Sequence, residues 1–446
     1  MDHSRSFHIA IDIGSTSIKG ARLDLIANEL TAITTLPFPV PLSDVPPEWV
    51  VIDPRLVVSS VKQLIQRLSD GCEGVGHLWL CGQMGGVILA DKLGNALSRY
   101  ISWRDQRSLG ISANGKSHLQ NLREAWSEEV WSSVGRELQP GSTSTILSWL
   151  KKHDRLPADA IPCSIADFVV ANLARKSPTM HVTYAIGLLD LHRVDWHRQA
   201  LEQIGLDKVP WPKLIHGLEP IVGFQFEDRI YEVHGCFGDH QTALWGAGLE
   251  CEELSINAST GSQVSQRTKN FVPGPYQTRI YFGGDMLNTV THLPAGRALN
   301  ALVSLLTELS HAEGLVLNRV WENIAHKMTA ISDTELTANI NFYACPLGSS
   351  GSLSNLTIEN MTVGNLFLAA CKAMSENYFT VAQRLAPSPS FRSLVLSGGL
   401  AQSLPRLVDF IRERFSMPLR EVHGEDTLFG LLKLARHFSA PSSTCS

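Results

Sequence analysis

Ile9-Ala-Ile-Asp-Ile-Gly-Ser-Thr-Ser-Ile-Lys-Gly-Ala-Arg-Leu23 reads as two short strands joined by a tight turn of small residues. Ile9, Ile11 and Ile13 alternate with Ala10 and Asp12, the period of two that a strand imposes, and Ile18, Ala21 and Leu23 resume an apolar run after the turn. Asp12 therefore stands at the strand's end, aimed at the turn. Gly14 lets backbone approach a ligand closely, while Ser15, Thr16 and Ser17 supply hydroxyls and amides that donate to phosphate oxygens. A carboxylate beside a phosphate cradle calls for a cation between them. Mg²⁺ is the hard ion that accompanies nucleotides, so Asp12 is a candidate metal holder. The run Gly14 to Gly20 lacks the second Gly-Lys-Ser/Thr block of a P-loop, and from this stretch alone an ordinary hairpin with a polar turn stays open.

With 446 residues the chain exceeds what one hydrophobic core serves, and two domains of roughly 200 residues each are expected, with room for a cleft between them. A composition of 44% hydrophobic and 18% charged residues is that of a soluble globular protein. The net charge of -5 provides no field for a nucleic-acid partner. Eight scattered cysteines, with no Cys-x-x-Cys pair, fit a reduced, intracellular setting and give no metal-ligand spacing. The sequence reaches its first strand by about Phe7 without a basic segment followed by an apolar core, and it has no apolar run of 18 residues. The expectation is a cytoplasmic protein that does not span a membrane.

Val57, Val61, Leu64 and Leu68 fall at helical spacing, and His77-Leu-Trp-Leu-Cys81 reads as a strand that runs into Gly82-Gln-Met-Gly-Gly86. After Val87-Ile-Leu-Ala90 and a polar turn comes Ile101-Ser-Trp-Arg-Asp-Gln-Arg107. Two polar turns thus end buried strands close together in sequence, where ligand groups cluster in open α/β sheets. Core packing is the competing reading of Trp103. His192 and His197 have no third ligand and read as surface or helix-cap residues.

Val233-His-Gly-Cys-Phe-Gly-Asp-His-Gln-Thr-Ala-Leu-Trp245 is a short strand, a Gly-Asp turn and a helix beginning near His240. Asp239 sits at the helix N-terminus, where the dipole favours the anionic form that a proton acceptor needs; a plain N-cap aspartate is the alternative. Ser255-Ile-Asn-Ala-Ser-Thr-Gly-Ser-Gln-Val-Ser265 repeats the pattern of strand, small polar turn and strand, so the two halves of the chain are expected to share one plan. Ser393-Leu-Val-Leu-Ser-Gly-Gly-Leu400 is a buried strand ending in a glycine pair, followed by a helix with Leu404, Leu407, Val408, Ile411 and Phe415 on one face. The pair lets an adenine ring pass close to backbone, or it serves tight helix-to-strand packing.

Taken in order, Asp12-Ile-Gly-Ser-Thr-Ser, Gly82-Gln-Met-Gly-Gly, Trp103-Arg-Asp-Gln-Arg, Gly238-Asp239, Thr260-Gly-Ser-Gln-Val and Ser397-Gly-Gly-Leu-Ala resemble the FGGY family of carbohydrate kinases. The resemblance runs from about Phe7 to about Ala435. It implies an α/β fold of two ribonuclease-H-like, actin-like domains, the sugar side at 1–248 and the nucleotide side at 249–446, with the active site in the cleft. Ser255 to Ser265 and Gly284 to Leu302 look most like sedoheptulokinases, with xylulokinases next.

By position, the resemblance implies that Asp239 accepts the sugar hydroxyl proton and Asp12 helps hold Mg²⁺. Ser15 and Thr16 would meet the ATP phosphates from one side, Thr260 and Gly261 from the other. Gly398 and Gly399 would line the adenosine pocket. Gln83, Met84, Trp103 and Asp105 would join Asp239 in the sugar pocket. The expected partners are a small sugar and ATP, and a homodimer stays open.

Two departures mark the chain. Gly85 stands where ketose kinases usually carry a histidine that contacts the sugar, leaving an apparent opening. Pro346-Leu-Gly-Ser-Ser-Gly-Ser352 stands where a Gly-Glu-Arg segment is common. An ATP-dependent ketose kinase is the leading reading, sedoheptulose its expected substrate. A xylulokinase or other pentulose or polyol kinase is the alternative, as is a catalytically silent sensor. Asp239 need not have a raised pKa for this chemistry, because the proton leaves late in a loose transition state.

Overall fold

The computed structural model describes residues 6–386, 391–422, 424 and 426–439. Its framework is two six-stranded mixed sheets. The first uses β1 (Ser6–Ile13), β2 (Ser17–Asp24), β3 (Glu29–Pro37), β4 (Val75–Gly82), β5 (Val222–Phe226) and β6 (Arg229–Gly238) in the order β5-β6-β4-β1-β2-β3. The second uses β7 (Glu253–Asn257), β8 (Gly261–Thr268), β9 (Gln277–Ile280), β10 (Met286–Pro294), β11 (Ser393–Ser397) and β12 (Leu419–Glu421) in the order β9-β10-β8-β7-β11-β12.

The two orders share one plan, as the repeated turn predicts. An antiparallel hairpin, β1-β2 or β7-β8, lies at the centre of each. A strand pairs antiparallel outside the hairpin, and two further strands continue the other side in parallel.

Alternation along β1 decides what each face meets. Ile9, Ile11 and Ile13 enter a core with α1 (Pro54–Ser69) and α2 (Ile165–Ala174), including Val57, Val61, Leu64, Phe168 and Val169. Ala10 faces the opposite side, and Asp12, two residues on, shares that side. There lie α3 (Asp239–Gly246) and α7 (Asp426–Ser439), whose Leu244, Leu428, Leu431 and Leu432 pack with Ala10, Trp79 and Phe237. Leu287 of β10 and Val395 of β11 belong to the same cluster. The α3/α7 layer is therefore buried between the two sheets. Although α7 falls in the second half of the chain, it returns to the first sheet, so a cut at 248/249 separates it from its packing partners.

The outer face of the second sheet is covered by α4 (Gly296–Ala312), α5 (Val363–Leu385) and α6 (Pro405–Phe415), with Leu299, Phe367, Met374, Leu407 and Ile411 in one core with Leu254, Ile256 and Leu396. The helix expected across Leu404 to Phe415 starts only at Pro405, after a short turn of helix at Gly399–Ser403. Proline fits the first helical position but cannot continue a helix from the preceding turn.

His197 caps the helix Arg198–Gln203 by accepting from Ala200 N at 3.2 Å, and its Nε2 lies 2.7 Å from Ser133 Oγ, which is a cap and not a metal ligand. The seven described cysteines are free, and Cys445 lies outside the described residues. Among the described residues no helix is long and apolar enough to cross a membrane.

Candidate active site

Three parallel strands of the first sheet end level with one another. Ile13 pairs with Gly82, and Gly82 with Gly238, so the turns that follow β1, β4 and β6 emerge side by side. This gathers Ser15 and Thr16, Gln83 and Met84, and Asp239 at one sheet edge, the edge where open α/β sheets bind ligands. Backbone bonds tie the turns together. Gln83 N donates to Ile13 O at 3.0 Å, and Phe38 N donates to the carbonyl of exposed Thr16 at 2.9 Å. The Gln83 side chain is buried, and its Oε1 accepts from no group among the described residues.

The second sheet repeats the arrangement. Asn257 and Ser397 are in register, and the turns after β7 and β11 carry Thr260, Gly261, Gly398 and Gly399. Leu400 N donates to Ala258 O at 3.0 Å, and Arg297 N, in the first turn of α4, donates to Thr260 O at 2.9 Å. The two glycines of the pair differ. Gly398 has φ +99°, and a Cβ there would lie 2.3 Å from Ala258 O, so packing alone demands glycine. A Cβ on Gly399 or Gly261 would meet nothing within 4 Å, which leaves both open to a ligand.

Asp239 opens α3, with His240 N donating to its Oδ1 at 2.7 Å. Burial, then the charge of Asp12, push its carboxyl up to about 7, against the His240 amide and the Arg279 guanidinium, which pull it down. A helix N-terminus favours the ionised form of Asp239. Its contribution is real and smaller than desolvation. Asp12 faces the same layer, its Oδ2 accepting from Thr427 Oγ1 of α7 at 2.8 Å.

Arg279, on β9, carries no signal in the sequence, yet it knits the site. It pairs with buried Glu137, and its Nη1 lies 2.9 Å from His240 Nδ1. Gln277 Nε2 also donates to Glu137, at 2.8 Å, and Ser265 Oγ of β8 lies 3.2 Å from His240 Nε2. The second sheet thus reaches the residue beside Asp239. Met84 is next to the same turn, since a Cβ on Gly238 would come within 2.9 Å of its Sδ.

Two expectations change. Asp105 is fully buried, accepting from Arg107 N at 3.0 Å, Arg107 Nε at 2.7 Å, Arg107 Nη2 at 2.8 Å and Val50 N at 2.8 Å. With both oxygens engaged it holds the loop and faces no sugar. Gly85 is not an opening either. It has φ +78°, and a Cβ there would lie 3.1 Å from Trp103 Cβ and 3.2 Å from Gly141 O. Trp103 is half-buried and packs on this turn.

Two like-built sheets, each offering a turn of small residues, and two coupled carboxylates in the layer between them define a two-domain α/β protein of the actin-like, ribonuclease-H-like fold. Solved structures share that fold: gluconate kinase from Lactobacillus acidophilus superposes with a TM-score of 0.82 at 17% identity, covering 97% of this chain and 89% of that one. Residues 7–244 match the N-terminal domain of the FGGY family of carbohydrate kinases, and the chain belongs to that family. It is similar to a xylulose kinase of Klebsiella pneumoniae, 25% identical over 60% of this chain and 56% of that protein. It is also similar to an L-fuculokinase of Escherichia coli K12, 26% identical over 45% of each. The chain thus spans about half the length of the relatives it matches.

Proposed function

We propose that the chain moves the γ-phosphoryl group of ATP to a hydroxyl of a ketose, as an ATP-dependent carbohydrate kinase. The observation that carries this reading is Asp239: a carboxyl pushed up to about 7 by burial and by Asp12, at the end of β6 beside the turns that follow β1 and β4, with Arg279 of the second sheet on the neighbouring His240. A base with that pKa is ionised often enough near neutrality to accept a proton, and basic enough to hold one.

Asp239 hydrogen-bonds the attacking hydroxyl and takes its proton as the P–O bond forms. Gln83 Oε1, buried and without a described donor, accepts from a second sugar hydroxyl, and Met84 and Trp103 supply apolar wall. Ser15 and Thr16 receive the phosphates from the first turn and Thr260 and Gly261 from the second, while the adenosine passes over Gly399. Asp12 is a hard oxygen donor beside the phosphate turn, and a cation on it would relieve its repulsion of Asp239, which suits Mg²⁺. Held by Asp12, Mg²⁺ would supply neutralisation of the charge on the phosphate oxygens. Arg279 sets the position of His240 and so of the start of α3. Residues 1–248 form the sugar side and 249–446 the nucleotide side, except α7. The protein acts in the cytoplasm.

Sedoheptulose is the proposed substrate, from the resemblance of Ser255 to Ser265 and Gly284 to Leu302, and xylulose the nearest competitor. The test is ADP release from ATP and Mg²⁺ against a panel of ketoses and polyols, with Asp239→Asn as the control. Sugar-dependent turnover that Asp239→Asn removes supports the reading. Tight sugar and nucleotide binding without turnover would instead mark a silent sensor.

A further inference from the structure

The far end of the first sheet carries a second cluster of chemistry. His77 on β4 is in register with Glu232 on β6, and Glu232 and His234, two residues apart on a strand, share a face. One ligand atom from each of His77, Glu232 and His234 falls within 4.8 Å of the others. His77 Nδ1 lies 3.0 Å from His234 Nε2 and 3.6 Å from Glu232 Oε2. Ligands held at 2.0 to 2.2 Å in a tetrahedron stand roughly 3.3 Å apart, between those two distances.

We propose that His77, Glu232 and His234 bind a divalent transition-metal ion, Zn²⁺ by the chemistry of the donors, with the fourth position left to water.

The outer contacts already set the ligands. His234 Nδ1 lies 2.8 Å from the carbonyl of Leu218, which can only accept, so Nδ1 carries the proton and the Nε2 lone pair is turned towards His77. That is the arrangement by which a carbonyl fixes the tautomer of a ligating imidazole. In the ion-free form His77 Nδ1 donates its proton to this lone pair. When metal takes both nitrogens, the proton moves to His77 Nε2 and the ring stays neutral. Trp79 stacks on His234 at 4.1 Å and His8 on His77 at 4.6 Å, and these stacked rings fix both ligands. The other side is open, Glu232 having 43% of its side chain exposed, and this gives an ion a way in.

The site lies apart from Asp239. His77 precedes Gly82, at the carboxyl end of β4, by five residues, which at strand rise is about 17 Å. A metal there bridges β4 to β6, the strands whose ends present Gln83 and Asp239, and so acts as a structural clamp.

The experiment uses the full chain without a purification tag. Co²⁺ is titrated and read by visible absorption in the range of four-coordinate Co²⁺, then displaced with Zn²⁺ in a calorimeter. The expected result is one equivalent bound, weakened tenfold or more by His77→Gln and by Glu232→Gln. Zn²⁺ should also raise the melting temperature of the parent and not of the variants. Glu232→Gln keeps the size of a partly exposed side chain and leaves the metal-free melting curve unchanged, which separates lost binding from lost folding. No binding by the parent, or equal binding by both variants, overturns the site.

Discussion

Thr427 Oγ1 donates to Asp12 Oδ2 at 2.8 Å and so ties the last helix to the end of the first strand, 415 residues away in sequence. The bond fastens α7 into the layer between the sheets beside a residue proposed to hold Mg²⁺. Replacing the hydroxyl with a methyl keeps the shape and removes the donor. Thr427→Val should cost about 1.5 to 3 kcal/mol of stability, the scale for a hydrogen bond to a charged group. It should also raise the Mg²⁺ concentration needed for half-maximal rate. Urea denaturation and a Mg²⁺ titration check both, and an unchanged Mg²⁺ dependence would separate Thr427 from the metal.

Asp239 must be ionised to accept a proton, and its folded pKa is pushed up to about 7. Sugar-dependent kcat/KM should therefore rise with pH to a plateau above 7 and fall about tenfold per unit well below it. Asp239→Asn should lower kcat by orders of magnitude with little change in sugar binding. Near-normal turnover by Asp239→Asn at saturating ATP, sugar and Mg²⁺ would show that Asp239 is not the base.

The same shift bears on stability. An Asp raised from 3.8 to about 7 favours the folded state only while protonated. Its cost is absent below pH 3.8, grows between there and 7, and is constant above. Asp239→Asn removes that cost, so it should stabilise the protein at pH 8, on the order of 1 to 3 kcal/mol, and have almost no effect near pH 4. Melting temperatures at both pH values decide it. An Asn variant less stable than the parent at pH 8 would mean that the ionised carboxylate is held by groups stronger than Arg279 and the His240 amide.

Gly398 and Gly399 divide the roles that their sequence leaves mixed. Gly398→Ala forces a Cβ onto Ala258 O at positive φ and should cost about 2 kcal/mol or more. Gly399→Ala meets no protein atom within 4 Å, so stability should hold while KM for ATP rises. Thermal melts and KM for the two variants test the split; an unchanged KM for Gly399→Ala removes it from the nucleotide pocket.

The hairpins, the repeated plan and the placing of Asp12 and Asp239 were legible because each is local: period-two alternation and a small-residue turn lie within a dozen residues. Arg279 and Glu137 were not, because their meaning comes from a pairing across 142 residues between β9 and a loop. His77 and His234 are hidden for the same reason, as only strand register brings them together. Asp105 misled by type. A carboxylate in a polar run looks available, and only the fold shows Arg107 and the Val50 amide on it.

Gly85 offers the sharpest test of substrate choice. A histidine there must adopt φ +78° and press its Cβ to within 3.1 Å of Trp103. Positive φ costs a non-glycine residue about 1 to 2 kcal/mol, and the contact with Trp103 and Gly141 adds to it. The new side chain starts out towards packed groups, so it distorts the turn that carries Gln83 and Met84. Gly85→His should then melt lower and lose kcat/KM for sedoheptulose and xylulose together, leaving their ratio within about threefold of the parent's. A shift of tenfold or more towards xylulose, about 1.4 kcal/mol, would put the imidazole against the sugar and show that the turn relaxes to admit it.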